Sequence, residues 1–149
     1  MDGSEIVIQF SSQPQNFCAV RAAAEAAATA WQVDGSSAAK IQLALTEALA
    51  NVTKHGYKGR TDRPICVRVA PAERDGRPGI SITIEDECDG VDLRTIKSRP
   101  LDEVRPGGLG VHIIQETMDE VEYTRNPCGT GVRLRMCKFA DAKERNEDR

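Results

Sequence analysis

The chain has 149 residues, enough to bury a real core within one domain, and carries a formal net charge of −3 with a pI near 5.5. Its basic residues are interspersed with acids and form no run, which argues against a general nucleic-acid binder. The opening MDGSEIVIQF is short, acidic and alternating, unlike a signal peptide, and no apolar run approaches the ~20 residues of a membrane span. A soluble, cytoplasmic protein with no membrane partner is therefore expected.

The five cysteines (Cys18, Cys66, Cys88, Cys128, Cys137) are odd in number and nowhere form CxxC. With only two histidines, His55 and His112, there is no zinc spacing, and each cysteine is expected to be a small reduced hydrophobe.

Residues 5–10 alternate Ile6, Ile8 and Phe10 against Val7 and Gln9, the period of a first strand. Ser12 is a candidate cap and Pro14 a permitted first-turn residue for an alanine-rich helix over 15–31. That helix would bury Phe17, Val20, Ala24, Ala27 and Trp31 on one side. Residues 34–37 (DGSS) break it, and Ser36 or Ser37 would cap the next helix.

This second helix, KIQLALTEALANVTKHGY over residues 40–57, organises the rest. Ile41, Leu45, Ala48, Leu49 and Val52 recur at helical steps and predict one buried stripe. Glu47 and Asn51 are four apart and so share a face, one turn from each other. Such a pair offers oxygen ligands to a hard cation, or a base beside a ligand; two polar residues on a wet helix face is the plainer alternative. The helix is expected to stop at His55-Gly56, with Gly56 as a left-handed cap.

Two alternating stretches, 64–69 (PICVRV) and 80–85 (ISITIE), predict a hairpin turning over 73–79. An acidic turn, DECDGVD, follows directly, then a short helix over 93–97 and a proline-containing segment over 98–106 that would act as a mobile lid. Gly107-Gly108-Leu109-Gly110 opens a helix over 111–118, and a second hairpin pairs 120–125 with 131–139 through NPCG. Hairpin-joined strands with helices in separate runs predict a layered α+β fold with a mixed sheet and no second domain. The folded domain is expected to span 1–139, and the charged tail, 140–149, to be disordered.

Taken singly, each polar cluster is ambiguous. Bare amides at a helix start suit an anion, but a glycine-rich connector reads the same way, and the segment lacks the ending of a P-loop. Asp86 at a strand end could receive an amine, with Gly90 letting a ring lie close; a surface acidic turn is the alternative.

The order of the clusters is more specific. ExxxN on a helix, DxxxG after a strand, GGLG before a helix and GTG between two strands together resemble the GHKL ATPase superfamily, the Bergerat fold. LALTEALANVTKHGY and GGLGVHIIQETMDEVEY are similar to the corresponding segments of the anti-sigma-factor serine kinases of the RsbW and SpoIIAB type. The resemblance covers about residues 5–138. It implies a two-layer α/β sandwich with a mixed, mainly antiparallel sheet covered by helices.

It further implies Mg-ATP as cofactor, with Asn51 coordinating Mg²⁺ and Glu47 as the general base that deprotonates an attacking serine. Asp86 would accept from the adenine amino group, Gly90 would let the ring approach, and Gly108, Leu109 and Gly110 would meet the phosphates. Thr130 would complete the adenine pocket. The implied substrate is a small STAS-type anti-sigma-factor antagonist, the held target a sigma factor or other regulator, and the state a homodimer without direct nucleic-acid contact. A nucleotide-gated binding module with little kinase activity is the alternative. It is kept open by Cys88, which stands where the family carries a glycine, and by Arg105, one position from the register of a phosphate-binding arginine. Lys54 could reach a phosphate or solvate its helix, while His55 would close the helix and His112 would pack.

Overall fold

The computed structural model describes residues 4–88, 108–127 and 130–141. The elements run β1 (Ile6–Ser11), α1 (Pro14–Ala30), α2 (Gly35–Asn51), a π-helical turn (Val52–Gly56), β2 (Pro64–Arg74), β3 (Arg77–Asp86), α3 (Gly108–Thr117), β4 (Glu120–Arg125) and β5 (Val132–Phe139). The five strands form one sheet in the order β1-β2-β3-β5-β4. The expected α+β class holds. The sheet anticipated as mixed and mainly antiparallel is antiparallel in every pairing among the described residues, because each neighbouring pair is a hairpin or an antiparallel return.

Period-two alternation gives the sheet two unlike faces. Ile65, Val67 and Val69 of β2, Ile80, Ile82 and Ile84 of β3, and Leu134 and Met136 of β5 are buried in one core with the helices. From α2, Ile41, Leu45 and Leu49 enter that core with no exposed surface, each contributing about 1.5–3 kcal/mol through burial. Val20, Ala24, Ala27 and Ala28 bring α1 close on small side chains. The opposite face is polar: Glu85, only 7% exposed, accepts from Arg68 at 3.1 Å and from Arg133 at 3.1 and 3.2 Å.

Several local expectations are corrected. Ser12 does not cap α1; it is buried, its hydroxyl donating to the Arg60 carbonyl at 2.7 Å and accepting from the Arg63 amide at 3.2 Å. It ties the loop after α2 to the end of β1. Asp34, rather than Ser36 or Ser37, caps α2, accepting from the Ser37 amide at 3.0 Å. The β2–β3 strands run longer than their alternation suggests, because Asp75 (φ 54°) and Gly76 (φ 77°) close a two-residue turn.

Gly56 is not a left-handed cap. The α-helix ends at Asn51, a wider π turn follows, and the left-handed residues are Lys58 (φ 53°) and Gly59 (φ 83°). Helix α3 is described from Gly108, so Gly108 and Gly110 lie within its first turn rather than before it. The short helix over 93–97, the lid over 98–106 and the tail from 142 onward lie outside the described residues.

Candidate active site

The organising helix meets the glycine-rich start of α3. A Cβ placed on Gly110 would stand 3.2 Å from both Asn51 Oδ1 and Nδ2 and 3.3 Å from Glu47 Oε1. The helical spacing that put Glu47 and Asn51 on one face therefore aims both at a single point on the α3 backbone. Both are half-buried. The first four amides of a helix have no intrahelical acceptor, and here the first turn carries Gly108, Leu109 and Gly110. A carboxylate, a carboxamide and bare amides at a positive helix end suit an anion bridged by a hard cation.

The second cluster forms where β3 ends. Asp86, 6% exposed, accepts at Oδ1 from the Cys88 amide and from the Val132 amide, each at 3.0 Å. Its backbone carbonyl accepts from Asn126 Nδ2 at 2.9 Å. Gly131, at φ +114°, lies so close to the Asp86 carbonyl that a Cβ there would collide with it. That is why the GTG turn needs its second glycine. The Thr130 hydroxyl lies 3.5 Å from the Glu87 carbonyl, so the two hairpin ends meet around Asp86.

Tyr57 joins this cluster to the organising helix. Its hydroxyl donates to the Pro64 carbonyl at 2.5 Å and accepts from the Glu87 amide at 2.7 Å. Burial raises its pKa to about 12. Beside it, Gly56 faces Cys88: a Cβ at position 56 would collide with the Cys88 Sγ. The side chain that departs from the glycine of the resembled family is thus accommodated by a glycine on the π turn. Burial raises the Cys88 thiol's pKa, and the neighbouring Asp86 carboxylate raises it further.

Other expected residues fall as follows. Lys54 and His55 are exposed on the π turn. His112 is partly buried, its Nε2 3.6 Å from Glu116 one turn on, with Val111 and Ile114 of the same helix buried. Gly90, Arg105 and Gly107 lie outside the described residues. Two residues carry roles that local sequence does not show: Asn126, a turn residue by its neighbours, and Tyr57, an anchor between distant segments. The one available signal was their position, an Asn-Pro beside the GTG turn and a Tyr closing the helix motif.

A profile of the family described as "Histidine kinase-like ATPase domain" matches residues 10–136. A Staphylococcus aureus protein named "Serine-protein kinase RsbW" is 33% identical over 106 residues, 66% of this chain and 63% of that protein. A Bacillus pumilus protein of the same name is 28% identical over 118 residues, 72% of this chain and 68% of its own length. The chain thus spans about 63% of the length of the S. aureus relative.

Among solved structures, a Mycobacterium tuberculosis chain with RsbU and RsbW domains superposes with a TM-score of 0.61 at 16% identity, covering 94% of this chain and 34% of that one. A chain of the SiaB–SiaC complex from Pseudomonas aeruginosa superposes with a TM-score of 0.58 at 18% identity, covering 90% and 89%. These two share the fold. No helix among the described residues is long and apolar enough to cross a membrane. With the profile spanning most of its length, the chain belongs to the histidine kinase-like ATPase domain family.

Proposed function

We propose that this chain is a serine/threonine protein kinase and anti-sigma factor that uses Mg-ATP to phosphorylate a small STAS-type antagonist in a cytoplasmic partner-switching pathway. The observation that supports this most is the seating of Gly110 over Glu47 and Asn51, with 3.2–3.3 Å between a Cβ there and their polar atoms. A bare backbone at position 110 lets α3 sit this close without displacing either side chain. The named relatives, serine-protein kinases, support the choice of reaction.

In this reading Mg-ATP supplies the phosphoryl group, and the protein's work is positioning and charge neutralisation. Asn51 would hold the cation through its side-chain oxygen. The amides of Gly108, Leu109 and Gly110 would face the phosphates, and Glu47 would accept the proton of the attacking hydroxyl. Asp86 would accept from the adenine amine beside Thr130, with Gly90 allowing the ring to lie close. The held target is a sigma factor or another regulator, the kinase is a homodimer, and neither nucleic acid nor membrane is a direct partner. The ATP-binding domain is assigned to residues 1–139.

The test is incubation with Mg-ATP and the cognate antagonist, read as a phosphate mass shift on the antagonist. Transfer by the intact protein that disappears in Glu47→Ala while ATP binding survives is the expected result. Tight ATP binding without any transfer by the intact protein would overturn the kinase reading in favour of a nucleotide-gated binding module.

A further inference from the structure

The turn after β3 is gripped from one side by the π turn, at two consecutive positions. Tyr57 accepts from the Glu87 amide at 2.7 Å, and Gly56 leaves the space that the Cys88 side chain fills. Cys88 is 3% exposed and belongs to the main core cluster, so its side chain is a packed wedge rather than a loop ornament. From the same residue the backbone amide donates to Asp86 Oδ1 at 3.0 Å, and the Val132 amide donates to that oxygen from β5. Two donors on one oxygen fix the plane of the carboxylate and leave Oδ2 as the oxygen these bonds do not use. A glycine at position 88 would empty the wedge and free the turn that carries one of the two donors.

We propose that Cys88 is a positioning residue for the purine base: wedged against Gly56, it holds the Asp86 carboxylate oriented to accept a 6-amino group, and so sets the base selectivity of the nucleotide site. This rests on the reading of Asp86 as the adenine acceptor. Burial raises the thiol's pKa, so the side chain packs as a neutral group at neutral pH. No chemistry on the sulfur is needed.

The experiment measures the dissociation constants of ATP and of inosine 5′-triphosphate, which carries an oxo group in place of the 6-amine, with Mg²⁺, by calorimetry. The proteins are the wild type, Cys88→Ala and Cys88→Ser. The wild type should prefer ATP. Cys88→Ala should lose about fivefold to tenfold of that preference through weaker ATP binding alone, the range expected for one hydrogen bond no longer aligned. Cys88→Ser, which keeps most of the wedge against Gly56, should restore most of it.

A Cys88→Ala protein with undiminished preference overturns the inference. So does an equal loss of affinity for both nucleotides, which would mark general loosening, or a Cys88→Ser protein no better than Cys88→Ala. A wild type that binds the two nucleotides alike overturns the adenine role of Asp86 itself, a failure distinct from that of Cys88.

Discussion

Gly110 stands directly over Asn51: a methyl group added at position 110 would come within 3.2 Å of both polar atoms of the carboxamide. Its backbone lies in the first turn of α3, where alanine is favoured over glycine by up to about 1 kcal/mol. Gly110→Ala should therefore leave the melting temperature unchanged or slightly raised, while crowding Asn51 and weakening Mg-dependent ATP binding by about tenfold or more. Differential scanning fluorimetry with and without Mg-ATP separates the two effects. A variant that binds ATP as the wild type does would show that the cleft lies elsewhere.

Glu47 and Asn51 share one face but are assigned different work, and their variants should differ in kind. Glu47→Gln should lower phosphoryl transfer on the order of 10²–10⁴-fold with ATP affinity within about twofold, the pattern of a lost general base. Asn51→Ala should weaken ATP binding chiefly when Mg²⁺ is present. Titrating ATP at low and high Mg²⁺ against each protein checks both assignments. An Asn51→Ala protein whose affinity keeps its full Mg²⁺ dependence would remove the metal role.

Much of this site was legible from spacing alone. Glu47 and Asn51 share a face by helical period, and the apolar stripe Ile41, Leu45, Ala48 and Leu49 turns into the core as periodicity requires. What the chain did not reveal depends on contacts between distant segments. Gly56 reads as a helix stop, the commonest local use of glycine, yet its reason is the thiol of Cys88, 32 positions later in the numbering. Ser12 looks like a cap because it precedes Pro14, but its hydroxyl serves Arg60 and Arg63 across the fold. Asn126 gives no hint that it will hold the Asp86 carbonyl, since strand pairing alone brings the two hairpins together.

On the open face of the sheet, Glu85 is a buried carboxylate flanked by Arg68 and Arg133, whose side chains are 39% and 38% exposed. Glu85→Gln keeps the shape but loses the charge-assisted bonds, while water can still hydrate both arginines. The expected cost is about 1–2 kcal/mol, below that of a fully buried pair. Because successive strand residues point to opposite faces, Asp86 should be unaffected and ATP affinity retained. Urea unfolding together with ATP binding measures this; a large loss of binding would mean the two faces are coupled.

Tyr57 makes a pH prediction. Burial raises its pKa from 10.0 to about 12, so the folded state holds the phenolic proton more tightly than the unfolded chain does. The associated stability is fully present below pH 10 and is lost as the pH rises through about 12. Tyr57→Phe should cost about 1–3 kcal/mol at neutral pH, because the Pro64 carbonyl and the Glu87 amide lose their partner. Between pH 10 and 12 the gap between wild type and variant should narrow, since only the wild type loses this contribution. Urea midpoints across that window give the result, and a constant gap would show that the hydroxyl titrates without regard to folding.

The Gly56–Cys88 contact should appear as coupling between two substitutions. Gly56→Ala adds a methyl that collides with the Cys88 sulfur, and overpacking of this kind costs about 1–3 kcal/mol. Cys88→Ala alone removes one buried atom and should cost about 1 kcal/mol. In the double variant the methyl at position 56 occupies space the sulfur has left, so the two costs should not add. The Cβ of residue 88 is 3.6 Å from the added methyl, an ordinary contact distance, so nothing else need move. The double variant should be more stable than Gly56→Ala alone, with a coupling energy of about 1 kcal/mol or more. Strict additivity in urea unfolding would mean that the π turn yields to the methyl, and that Gly56 does not hold the Asp86 turn in place.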